Sequence, residues 1–106
     1  MIDDVNDYVI YLIDDLKITY PLIHYMSLIK TQYDLPNYYI YSNQYNKIIG
    51  IISQSPEIII FSTPYKSITF SVNDPYQDII KPKIMSMIKE ASELIKENKG
   101  MIKWQT

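Results

Sequence analysis

The chain has 106 residues, of which 47% are apolar and 21% charged, with a formal net charge of −2. Those proportions describe one globular domain over residues 1–106 and exclude a collagen-like chain, a disordered tail and a multidomain enzyme. All ten basic residues are lysine, so the planar fork that grips phosphates and guanine edges is missing and nucleic-acid binding is disfavoured.

The skew inside the composition is more specific than the totals. There are 21 isoleucines and 11 tyrosines against three valines, one alanine and two glycines, usage that an AT-rich genome produces. Cysteine is absent, which removes disulfides, thiolate nucleophiles and sulfur-ligated zinc. The start, Met1-Ile2-Asp3-Asp4-Val5, is acidic where a signal peptide carries Lys or Arg, and no apolar run approaches a membrane span. The expected compartment is the cytoplasm, of a cell or of an infected host, with no membrane partner.

In chain order, residues 2–17 place Val5, Val9, Leu12 and Leu16 on one helical stripe flanked by Ile2 and Ile13, with Asp3 and Asp4 at the positive end of the helix dipole. A break at Thr19-Tyr20-Pro21 follows. The spacing of Leu22, Tyr25, Met26, Ile29 and Tyr33 then predicts a second helix that opens at Pro21 and closes near Asp34.

From Asn37 the period becomes two and predicts four strands, over residues 38–42, 47–53, 57–62 and 67–72, joined by short turns into an antiparallel meander. The fourth strand alternates Ile68, Phe70 and Val72 with Ser67, Thr69 and Ser71. The second and third do not alternate, because Ile48, Ile49, Ile51 and Ile52, and then Ile58, Ile59, Ile60 and Phe61, are apolar on both sides. Strands of that kind need cover on both faces, from the chain's own helices or from another molecule.

A last helix carries Ile80, Ile84, Met87, Ile88, Ala91 and Ile95, with Pro82 delaying its regular part and residues 78–81 forming an irregular first turn. Gly100 suits its C-cap, and residues 101–104 are read as a short closing strand. The expected fold is therefore α+β, with a four-stranded antiparallel meander, two N-terminal helices and one C-terminal helix packed on it. Charge is uneven, acidic over residues 1–34 and lysine-rich over residues 77–106, as solvated helix faces are.

A search for chemistry finds little. His24 has no Cys, Ser or second His at a motif spacing, and the serines lie at strand ends or on a polar strand face without a nucleophile-elbow pattern. Asp3, Asp7 and Asp14 share one side of the first helix but lack the glycine-turned loop that wraps a hard cation. No catalytic residue, metal or cofactor is assigned. The tyrosines stand out: Tyr38, Tyr39, Tyr41 and Tyr45 crowd the first strand, where Tyr39 and Tyr41 share a face opposite Tyr38 and Ile40. Exposed tyrosines stack single-stranded bases where lysines accompany them, and here only Lys47 and Lys66 do. They also serve protein interfaces, as rigid surface with a polar tip.

Asn46-Lys47-Ile48-Ile49-Gly50-Ile51-Ile52 resembles the second meander strand of the GNAT-type N-acetyltransferases, and Ser71-Val72-Asn73-Asp74-Pro75-Tyr76-Gln77 the approach to their cofactor loop. The resemblance spans residues 3–104 and implies an acetyl-CoA pyrophosphate held by loop amides at a helix start. The matching stretch, Gln77-Asp78-Ile79-Ile80-Lys81-Pro82, has none of the family's loop glycines and carries an added acid and a proline. No catalytic residue carries over.

The expected function is a small non-enzymatic interaction or regulatory protein, in the style of a viral or mobile-element accessory factor that occludes a host protein. Its partner is a protein, a second copy in a homodimer included. The expected interface is Tyr38, Tyr39, Tyr41, Tyr45, Ile49 and Ile59. The alternative is a ligand-binding or acyl-transfer domain on a reduced acetyltransferase-like scaffold, with its ligand near residues 76–83.

Overall fold

A computed structural model describes residues 4–19, 23–30, 36–42, 46–98 and 104. Helix α1 (Val5–Thr19) precedes strands β1 (Ile23–Lys30), β2 (Pro36–Ser42), β3 (Lys47–Gln54), β4 (Ile59–Ser62) and β5 (Ser67–Phe70), then a π-helical turn (Tyr76–Ile80) and helix α2 (Lys81–Glu97). The strands form one five-stranded sheet in the order β1-β2-β3-β4-β5, with every neighbouring pair antiparallel. The α+β class and the antiparallel meander are as expected.

The second N-terminal helix is not. Residues 23–30 form β1 instead, the rest of that segment lying outside the described residues, and the sheet has five strands where four were expected. Leu22, Tyr25, Met26 and Ile29 do recur at helical spacing, but a short apolar run fits either state, and Ile and Tyr fit a pleated surface well. Pairing decides it. β1 satisfies the backbone edge of β2 from Ile23 opposite Ser42 to Lys30 opposite Pro36, which a helix at that place would leave open.

Helix α1 starts where Asp4 accepts the Asp7 amide on Oδ1 at 3.1 Å, a side-chain cap for one of the orphan amides of the first turn. At its far end Thr19 Oγ1 donates to the Asp15 carbonyl at 3.1 Å. The two later hairpins turn on proline. In the β3–β4 turn the Ser55 amide bonds the Ile58 carbonyl at 2.9 Å, and in the β4–β5 turn the Thr63 amide bonds that of Lys66 at 2.8 Å. Pro56 and Pro64 each follow the first residue of their turn, where a fixed φ is already correct. Asn46, entering β3, takes a positive φ of 52°, which Asn tolerates better than most residues.

The register slips once between β2 and β3: Ile40 faces Gly50, but Tyr41 faces Ile48. Ile49 is thus the extra residue of a β-bulge. It turns inward and is buried beside Gly50. A side chain at Gly50 would begin 3.0 Å from Ile40 Cδ1, so the missing Cβ leaves room for Ile40 in the core.

One hydrophobic cluster joins the inner side of α1 (Val9, Leu12, Leu16), one face of the sheet (Ile40, Ile52, Ile59, Phe61, Phe70) and the inner side of α2 (Ile84, Ile88, Ile95). By register, Ile40 pairs with Gly50, Ile52 with Phe61 and Ile59 with Phe70, so all the sheet residues of the cluster lie on a single face. Both helices therefore cover the same side. The π-helical turn ahead of α2 fits the irregular first turn expected before Pro82: the proline has no amide hydrogen for the Asp78 carbonyl, and the chain enters it through wide bonds, Ile80 amide to Pro75 carbonyl and Lys81 amide to Tyr76 carbonyl. The strand expected over residues 101–104 lies outside the described residues apart from Trp104, which has no regular structure. No helix among the described residues is long and apolar enough to cross a membrane.

Candidate interaction surface

With both helices on one side, the other face of the sheet is left without helical cover among the described residues. Register places Tyr39 opposite Ile51 and Tyr41 opposite Ile48, then Ile51 opposite Ser62 and Ser53 opposite Ile60, and Ile60 opposite Thr69. This outer face mixes tyrosine and isoleucine with Ser53 and Ser62 over β2, β3 and β4 and becomes Ser and Thr at β5. Tyr39, Tyr41, Ile48 and Ile51 are partly exposed, while Ile60 is 38% and neighbouring Ile58 44% exposed. No carboxylate or amine of β2–β5 lies on this face. The Tyr41 hydroxyl donates to Asn46 Oδ1 at 3.2 Å, which holds the ring along the β2–β3 turn.

The expected interface residues divide. Tyr39 and Tyr41 are on the outer face. Tyr38 points the other way and packs against the core, and burial raises its hydroxyl pKa above the ordinary value. Ile49 is 2% and Ile59 0% exposed, so both are core residues without surface to offer a partner. Tyr45 lies outside the described residues. The isoleucines that do reach the outer surface are Ile48, Ile51, Ile58 and Ile60. Alternation counted back from Ser62 would have found Ile58 and Ile60, but the bulge at Ile49 reverses the count within β3.

A polar cluster joins α1 to the turn ahead of α2. Asp15 Oδ2 accepts the Tyr76 hydroxyl at 2.8 Å and the Lys81 ammonium at 3.0 Å. Partial burial opposes ionisation of Asp15, yet bonds from Lys81, Tyr76 and Gln77 outweigh it and leave its pKa below the ordinary value. Gln77 Nε2 donates to the Tyr11 hydroxyl at 3.0 Å, and the Tyr8 hydroxyl to the Asp74 carbonyl at 2.7 Å. Tyr8 and Tyr11 each meet Tyr76 edge to face, at 6.3 and 5.5 Å between centroids. Beside them is an open depression of about 400 Å³. Its hydroxyls and amide already bond one another, so the cluster works as a clasp between elements.

The loop that resembles an acetyl-CoA site is also spent internally. The amides of Ile79 and Ile80 bond the Pro75 carbonyl at 3.1 and 3.2 Å, and that of Lys81 bonds Tyr76. These hydrogens point into the π-helical turn instead of toward a pyrophosphate. A second depression, of about 430 Å³, has Lys66, Lys83 and Ser86 on its rim and Ile68 and Met87 in its wall. Among the acids of the first helix, Asp4 serves as the cap, Asp7 and Asp14 are exposed, and Asp3 lies outside the described residues. No group of three His, Cys, Asp or Glu that could hold a metal occurs among the described residues. His24 stands in β1 opposite Tyr41. Compared with known proteins, the chain matches no protein-family model, no curated protein and no solved structure.

Proposed function

We propose that this protein is a small non-enzymatic interaction protein that binds another protein through the outer face of its sheet. One observation carries the reading: an uncharged surface of Tyr39, Tyr41, Ile48, Ile51, Ile58 and Ile60 faces away from both described helices. A contiguous apolar sheet face is costly to leave in water, and aromatic residues with depleted charge are what the centre of a protein interface carries. The other exposed large apolar residues among the described ones are Ile10, Tyr11 and Ile18 on α1 and Ile79 in the π-helical turn.

The test is site-specific photo-crosslinking in the expressing cell. A benzophenone side chain at position 60 is expected to give a discrete protein adduct, and the same group at position 89, on the helix-covered side, is expected to give none. Equal labelling from both positions, or none from position 60, would contradict the reading.

A further inference from the structure

We propose that an extended acidic segment of a partner protein docks along the free edge of β5 as an added antiparallel strand, with its inward side chains seated in the depression between β5 and the start of α2. This surface is the rim of the sheet, separate from the outer face, and the inference does not rest on the reading of that face.

The first argument is the backbone. β5 ends the sheet and has β4 as its only neighbour in it. The β4–β5 hairpin closes with the Thr63 amide on the Lys66 carbonyl. Alternation along an antiparallel pair then bonds Ile68 to Phe61 and Phe70 to Ile59, and turns the amides and carbonyls of Ser67 and Thr69 away from β4. Both residues are exposed, and no described residue bonds their outward groups. A strand edge in that state is a template on which an extended peptide gains main-chain hydrogen bonds.

The second argument is the hollow beside that edge. Lys66 and Ile68 line it from the sheet, and Pro82, Lys83, Ser86 and Met87 from α2, around a volume of about 430 Å³. Every second side chain of an added strand would point to this side of the sheet. A large apolar residue opposite Ile68 would thus lie toward Met87, which is buried, and the next side chain on the same face would stand opposite Lys66.

The third argument is charge, and it selects the peptide. No carboxylate lines the hollow, and neither Lys66 nor Lys83 is ion-paired to a described residue. Two ammonium groups beside one free edge turn away a basic strand and attract one with Glu or Asp two positions from its apolar residue. Both lysines are exposed, so the attraction weakens as salt rises.

Amide NMR of the isotope-labelled full chain, titrated with the capped peptide Thr-Val-Thr-Ile-Thr-Glu-Thr, is the test. Val, Ile and Glu of this peptide share one side and its threonines the other. Binding is expected at about 100 μM, with the amides of Ser67 and Thr69 shifting most and gaining protection from hydrogen exchange. At low salt, Lys66→Glu and Lys83→Glu are each expected to weaken it about tenfold, and the peptide with Lys in place of Glu to prefer the double variant over the wild type. The peptide N-methylated at its threonines, which cannot donate to the edge, is expected not to bind. No binding at millimolar peptide overturns the proposal, as does binding that ignores both lysine changes or survives N-methylation. Shifts confined to Ile51 and Ile60 would overturn it while leaving the outer-face reading in place.

Discussion

The Tyr76 hydroxyl donates to the Asp15 carboxylate at 2.8 Å across 61 positions of sequence, and Lys81 reaches the same oxygen at 3.0 Å. One carboxylate oxygen thus holds α1 against the start of α2. Tyr76→Phe removes one charge-assisted bond and is expected to cost about 1–2 kcal/mol in urea denaturation. Asp15→Ala, which leaves both donors without their acceptor, is expected to cost more than Tyr76→Phe. Equal stability of Tyr76→Phe and the wild type would show that the clasp contributes nothing.

The same carboxylate sets an acid limit. Partial burial works against its ionisation, but the bonds from Lys81, Tyr76 and Gln77 hold its folded pKa below the ordinary 3.8. A depressed folded pKa gives stability that is fully present above the unfolded value and is lost as pH falls through the folded one. The melting temperature is therefore expected to fall below about pH 4, and Asp15→Asn to flatten part of that fall. An unchanged acid limb in Asp15→Asn would assign the loss to other carboxylates.

Tyr8 sets an alkaline limit. Burial, and secondarily the charge of Asp74, pushes its hydroxyl up to about 12 from 10.0. Here the neutral form belongs to the fold, so the contribution is fully present below pH 10 and disappears as pH rises through about 12. Absorbance at the phenolate band should show one tyrosine titrating late, together with loss of the fold, and Tyr8→Phe should remove that step. A Tyr8→Phe titration identical to the wild type would show that Tyr8 ionises with the rest.

The bulge yields a paired prediction. Gly50→Ala sets a Cβ 3.0 Å from Ile40 Cδ1 and is expected to destabilise by about 1–3 kcal/mol. In the Ile40→Val background, where that methyl is gone, the penalty should shrink. Equal penalties in both backgrounds would place the cost in the backbone instead of the contact.

The two faces of β3 should respond oppositely to truncation. Ile52 has no exposed surface, and Ile52→Ala is expected to cost about 2–5 kcal/mol in chemical denaturation. Ile51, one residue away on the outer face, should tolerate Ser within about 1 kcal/mol when the chain is monomeric. Comparable losses at both positions would mean that the outer face is covered.

Much of this fold is legible along the chain because periodicity and turn chemistry agree. The stripe of α1 (Val5, Val9, Leu12, Leu16), the proline-centred hairpins and the delayed start of α2 at Pro82 all follow from local rules. β1 does not, since Tyr25, Met26 and Ile29 satisfy a helical period and only the open edge of β2 decides their state. The candidate surface was legible in kind but not in position. Strands apolar on both sides announce a second hydrophobic face, whereas the assignment of Ile49 to the core depends on a bulge that only the pairing of β3 with β2 reveals.

Because every strand pairs with its neighbour in sequence, the sheet can assemble hairpin by hairpin as the chain leaves the ribosome. Helix α1 cannot follow that order. It emerges first, yet the Asp74 carbonyl that Tyr8 grips lies 66 positions later. Its apolar stripe shares the core with Ile40 and Ile52 and stays in water until β3 has been made, so synthesis passes through a stage in which α1 is the segment a chaperone would hold.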